Sequence, residues 1–158
     1  MRKLFLTIAF LVSTCLMAST MDVKGGLTRF EGGEYGLNAS PTVNYTLYTS
    51  ETGVVRGVDL GIGAEFAMAK PAGEFSYALY IGPQAKVSTP YSYVKMGFGY
   101  DYTRVAKLNY NDLAIMGGLG VFYPVNNAKI GIDLTAIQSV TGAKLSSISV
   151  GPMVSFDL

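Results

Sequence analysis

Histidine and tryptophan are missing from this chain of 158 residues, and cysteine occurs once, at Cys15. Without imidazole the chain lacks the commonest acid–base group and the commonest nitrogen ligand for metals. One thiol cannot close an internal disulfide or build a zinc site. Charge is scarce as well: Lys, Arg, Asp and Glu make up 15% of residues, with a net charge of +1. Nucleic acid is excluded as a partner, because neutralising a phosphate backbone takes an excess of Lys and Arg grouped on one face. Carboxylates alone could still catalyse, through Glu65, Glu74 or Asp101. Paired interior carboxylates are far more often structural, so no catalytic residue, metal ligand or cofactor is expected.

Uninterrupted apolar sequence is also rare. A run from Leu4 to about Met17 follows Arg2 and Lys3 and gives way to the small residues Ala18, Ser19 and Thr20. That is the layout of a secretory signal peptide, expected over residues 1–20. It is short for a spanning helix, which needs ~20 apolar residues. Thr14, ahead of Cys15, is not the small residue that lipoprotein processing favours. The mature domain, 21–158, then has no thiol and no thiolate chemistry.

What the mature chain has is alternation. In the stretch LNASPTVNYTLY, Leu37, Ala39, Pro41, Val43, Tyr45 and Leu47 face one way while Asn38, Ser40, Thr42, Asn44 and Thr46 face the other. Similar contrast runs through 23–28, 58–68, 74–87, 93–103, 113–123, 129–136 and 147–158. Period-two patterns of this kind are half-buried strands. Eight are counted, most of them near the ~9–11 residues a tilted strand needs to cross a bilayer. Short segments rich in Gly, Pro, Asn, Asp and Ser separate them, the longest at about Arg104–Asp112 and Gln138–Ser146. Short connections join neighbours into an antiparallel up-and-down meander, and an even count lets it close without edges. Pro41, Pro83 and Pro152 fall inside strand patterns, where local bulges or displaced pairings are expected.

The charges indicate which face meets which solvent. Lys24, Asp59, Glu65, Glu74, Lys86, Lys95, Asp101, Lys129 and Asp133 all fall on polar faces, while apolar faces carry charge only at strand ends, at Arg29, Arg56 and Arg104. If apolar faces meet lipid, no charge sits at the midplane, where Lys or Arg would cost ~2–4 kcal/mol. With the mature N-terminus taken as periplasmic, Phe66, Phe75, Tyr77, Tyr100 and Tyr102 lie toward the outer ends, and Tyr45, Tyr123 and Phe156 toward the inner ends. Two aromatic girdles are a membrane signature. The polar faces are crowded with small residues, and the mean hydropathy of +0.32 is high for a soluble domain. The alternative is a secreted soluble lipocalin-like barrel, apolar side inward, binding a small apolar ligand.

The run Ser149 to Phe156 resembles the outer-membrane assembly signal, with Ser149, Gly151, Val154 and Phe156 in the characteristic places. Asp157 and Leu158 follow, so the chain does not stop on the aromatic residue. GGLGVFYPVNNAKIGIDL, Gly117 to Leu134, likewise resembles the sixth strand, tight turn and seventh strand of OmpA/OmpX-like small barrels, the opacity-type barrels among them. The resemblance implies an all-β fold, a closed eight-stranded antiparallel up-and-down transmembrane β-barrel in the bacterial outer membrane of a Gram-negative cell, inserted by the barrel-assembly machinery.

The expected role is structural or surface-interacting, as a monomer. Eight strands leave an interior barely wide enough for their own side chains, so no open pore is expected. The lumen charges are nearly balanced and should pair, with lysines toward the periplasm and Glu65, Glu74 and Asp101 toward the outer mouth, where a weak cation site is the secondary reading. Arg29, Lys70, Arg104, Lys107 and Lys144 are candidates to meet lipopolysaccharide phosphates among the outer-membrane lipids.

Overall fold

A computed structural model describes residues 20–30, 33–70, 76–105, 108–140 and 146–158. The expected leader lies outside them except for Thr20, which is already the first residue of a strand. Eight strands follow in order: β1 (Thr20–Phe30), β2 (Tyr35–Thr49), β3 (Gly57–Ala69), β4 (Ser76–Ser88), β5 (Ser92–Val105), β6 (Leu108–Val125), β7 (Ala128–Ser139) and β8 (Ser146–Asp157). Each pairs antiparallel with the next, and β1 pairs with β8, closing the barrel. Thr20 faces Asp157 across that last seam, so β1 begins and β8 finishes at one mouth, called here the terminal end. The opposite mouth is the distal end.

Local chemistry explains the connections. β6 turns into β7 through Asn126 and Asn127, and Asn126 takes a left-handed backbone, φ 53°. Asparagine tolerates that conformation better than any other side-chain-bearing residue, and two-residue hairpins demand it. Between β4 and β5, the Ser92 amide donates to Thr89 Oγ1 at 3.0 Å, closing the turn with a hydroxyl. The segment expected as a long loop at 104–112 is almost all strand: β5 runs through Val105 and β6 starts at Leu108. Asn109, Asn111 and Asp112 look like turn residues in isolation, but they pair with Arg104, Tyr102 and Asp101 in an unbroken ladder.

Pro41, Pro83 and Pro152 each interrupt one ladder without moving it. Pairing of β2 with β3 skips from Ala39–Phe66 to Thr42–Gly63, past Pro41. Pairing of β4 with β5 skips from Ile81–Tyr100 to Gln84–Gly97, past Pro83. Pairing of β8 with β1 skips from Met153–Lys24 to Val150–Leu27, past Pro152. Proline has no amide hydrogen to donate, so pairs are lost there. Register is the same on both sides of each gap, which corrects the expectation of bulges or displacement at these residues. The register shift lies elsewhere, between Thr46 and Tyr48. Two of the gaps coincide with close backbone approach: a Cβ at Gly26 would stand 2.2 Å from the Val150 carbonyl oxygen, and one at Gly82 2.3 Å from that of Phe98.

Apolar faces point outward. Leu27, Leu60, Ile81, Met96, Phe98, Leu119 and Ile132 are all exposed, Phe98 by 67%, while Asp133 is 0% exposed. The belt they belong to is far larger than the few hundred Å² of apolar patch tolerated on a soluble monomer. The soluble barrel with its apolar side inward is thereby overturned. Inside, two small apolar clusters, Tyr80 with Ala114, Met116 and Ile137, and Phe30 with Ala67 and Ala69, share the space with a polar network.

Candidate functional site: a sealed lumen and a charged rim

Four charges meet near the middle of the lumen. Lys24 Nζ lies 3.1 Å from Glu65 Oε2 and 3.0 Å from Asp133 Oδ1, and donates to Ser149 Oγ at 2.7 Å. Lys95 Nζ is 2.8 Å from Asp133 Oδ2. The Tyr93 and Thr135 hydroxyls also donate to Asp133, and Asn38 Nδ2 donates to Glu65 Oε1 at 3.3 Å. Two cations thus balance two anions. Ions taken out of water are tolerated only when their remaining hydrogen-bonding capacity is met, which these hydroxyls and amides do.

A second cluster lies toward the terminal end. Lys86 Nζ stands 2.8 Å from Asp22 Oδ2 and 3.4 Å from Asp59 Oδ2, and Asn44 Nδ2 donates to the same Asp22 oxygen at 3.0 Å. Lys129 is half-buried, and its ammonium sits over the Phe122 ring at 5.5 Å from the centroid.

The distal half differs. Asp101 and Asp112 face each other across the β5–β6 seam, and both are buried. Asp101 accepts from Thr103 Oγ1 and Ser139 Oγ, each at 3.1 Å, with no cationic partner among the described residues. Glu65, expected near this mouth, instead sits on the central Lys24. Glu74 lies outside the described residues. Among the described residues no group of three or more potential metal-ligating side chains occurs. The expectation missed two acids that face the lumen, the half-buried Asp22 and the buried Asp112. Asp22 has the same parity as Lys24, but the alternation legible in the sequence begins one residue later, at Val23. Asp112 has the parity of Ala114 and Met116, hidden by its turn-like neighbours.

Side chains fill the centre. A void of about 10 Å³ lies there, bordered by Ser40, Tyr80, Gln84, Lys95, Met116 and Thr135. It holds about one water at most. The barrel is not an open pore.

On the outside, the distal ends of alternate strands carry cations. Arg29 is the next-to-last residue of β1, Lys70 follows β3 and Arg104 lies near the end of β5, all three exposed. Tyr77 and Tyr102 pack beside them, ring centroids 5.9 Å apart, and Tyr35 is exposed opposite Arg29. Lys107 and Lys144 lie outside the described residues. At the terminal end the belt finishes in exposed aromatics, Tyr45, Tyr48, Tyr91, Tyr123 and Phe156. Arg56 stands there too, at the inner wall of the mouth rather than on the outward face. On β8, Ser149 turns inward, Gly151 lies against Gly26, and Val154 and Phe156 lie on the outward face.

This arrangement defines a transmembrane-type β-barrel: eight antiparallel strands, an apolar exterior and ionised groups sealed within. No family profile matches the sequence, and no curated protein matches it. Solved structures do. The fold is similar to that of Neisserial surface protein A, with 10% identity, a TM-score of 0.70, and coverage of 88% of this chain and 96% of that one. It is similar to the outer membrane enzyme PagL, with 14% identity, a TM-score of 0.57, and coverage of 87% and 99%. It is similar also to the attachment invasion locus protein Ail of Yersinia pestis, with 15% identity, a TM-score of 0.50, and coverage of 89% and 97%. The chain therefore has the fold of the small eight-stranded outer-membrane barrels. One of these structures is an enzyme, so the fold alone decides nothing about catalysis.

Proposed function

We propose that the chain is an integral protein of the bacterial outer membrane with a structural or surface-interaction role. The observation that carries this reading is the continuous apolar exterior around a lumen whose charges are sealed away from it. In lipid every backbone polar group needs a partner within the protein, and a closed barrel is the β-structure that supplies them. Closure leaves no sheet edge to pair with a second copy, in keeping with a monomer. The 1–20 leader fits delivery across the inner membrane, and Ser149, Gly151, Val154 and Phe156 fit recognition by the barrel-assembly machinery. Catalysis has little to work with: the chain has no histidine, and Glu65 is held by Lys24 and Asn38.

The terminal end faces the periplasm in this reading, and the distal rim the outer leaflet. Connections at the distal rim are short, so the surface available for recognition is the rim itself. Arg29, Lys70 and Arg104, with Lys107 and Lys144, are suited to lipopolysaccharide phosphates, which charged nitrogen donors bind by short, strong hydrogen bonds. Fractionation of expressing cells tests the localisation. The protein is expected in purified outer membranes, with a heat-modifiable shift on gels; recovery as a soluble periplasmic species without that shift refutes it. The triple variant R29Q/K70Q/R104Q should fold normally yet bind lipopolysaccharide several-fold more weakly, roughly the loss of a few screened charge contacts.

A further inference from the structure

The terminal mouth is not simply the end of a packed lumen. It opens into a vestibule of about 360 Å³. Arg56 and Lys129 stand in its wall, with the hydroxyls of Thr49 and Ser88. The two other charged residues lining it are Asp59, which is held by Lys86, and Asp157 at the outer lip.

Among the described residues, neither basic residue is spent on a carboxylate. Arg56 and Lys129 form no ion pair with any described residue, whereas Lys24, Lys86 and Lys95 each do. Lys129 has only the face of Phe122, which attracts a cation without neutralising it. The Arg56 Nε is shielded from solvent and has no acceptor among the described residues. A buried charged donor left without an acceptor is costly, and its usual remedy is a partner. The backbone holds Arg56 in place at both ends of its residue: its amide donates to the Ser88 carbonyl at 2.7 Å, and its carbonyl accepts from the Ser50 amide at 3.0 Å.

We propose that this vestibule is a binding site for a small oxyanion, a carboxylate or a phosphate. Its oxygens would be held by the guanidinium of Arg56, the always-charged planar donor group that suits such anions. Lys129 supplies a second positive charge from the facing wall, and Thr49 and Ser88 donate hydroxyls. The site does not depend on which compartment the mouth faces. It is distinct from the outer rim cations, which lie at the opposite end and point away from the axis.

The test is a titration of the folded barrel in a maltoside detergent, free of phosphate headgroups, followed by backbone amide shifts. Inorganic phosphate and acetate are added separately, each against chloride at matched ionic strength. Saturable shifts at Arg56, Ser88 and Lys129 with phosphate, acetate or both are expected, and the stronger of the two identifies the group recognised. K129Q, a change at the half-exposed wall, should weaken binding roughly tenfold, and R56Q at least as much, given what a charge-assisted contact contributes. Heat-modifiable migration of each variant verifies folding. No saturable shift with either probe, the same shift with chloride, or undiminished binding by folded R56Q and K129Q overturns the proposal.

Discussion

The two halves of the lumen solve the problem of buried charge differently. From the middle toward the terminal end, every lumen carboxylate among the described residues has a lysine: Glu65 and Asp133 on Lys24, Asp133 again on Lys95, Asp22 and Asp59 on Lys86. Toward the distal end, Asp101 has among the described residues only the hydroxyls of Thr103 and Ser139, and another acid, Asp112, stands directly across the seam. The first arrangement makes each ion depend on its partner, since removing one strands the other in a medium that cannot solvate it. The second depends on small neutral donors that can rotate. The network should therefore be stiff and easily broken in one half, and forgiving in the other.

Substitutions can break that contrast. Lys24→Met should have the largest effect, about 3–5 kcal/mol of lost stability, because both Glu65 and Asp133 lose a cation. Urea unfolding in liposomes, read by the heat-modifiable band, measures it. Adding Glu65→Gln to that variant should recover part of the loss, and failure to do so would mean packing rather than charge was lost. Lys95→Met should cost less than Lys24→Met, since Asp133 keeps Lys24, Tyr93 and Thr135. Asp101→Asn should be smallest, a change within about 1 kcal/mol and toward greater stability, because it removes one of two like charges placed directly opposite. A loss as large as that of Lys24→Met at this position would erase the distinction between the halves.

Strand count, order and the outward turn of the apolar residues were readable because each needs only the parity of a residue within its own strand. Heights were not. Glu65 is the ninth residue of β3 and Lys24 the fifth of β1, yet they meet, because strands in a barrel tilt and stagger. Lys24 and Asp133 belong to β1 and β7, which are not ladder neighbours, so closure alone brings them together. Asp112 was lost for another reason. Asn and Asp mark turns by local propensity, and the β5–β6 ladder overrode that propensity as far as Leu108. Arg56 showed its position at a strand end but not that it would line a cavity, which depends on the path of residues 50–56.

The interrupted seams give the cylinder a grain. They lie between β8 and β1, β2 and β3, and β4 and β5, while the five remaining ladders have no skipped pair. A tip that grips Thr20 and draws the molecule out of the membrane should meet stepwise resistance: first the hairpin β1–β2, then β3–β4, and finally the sheet β5–β8 coming away under the greatest force.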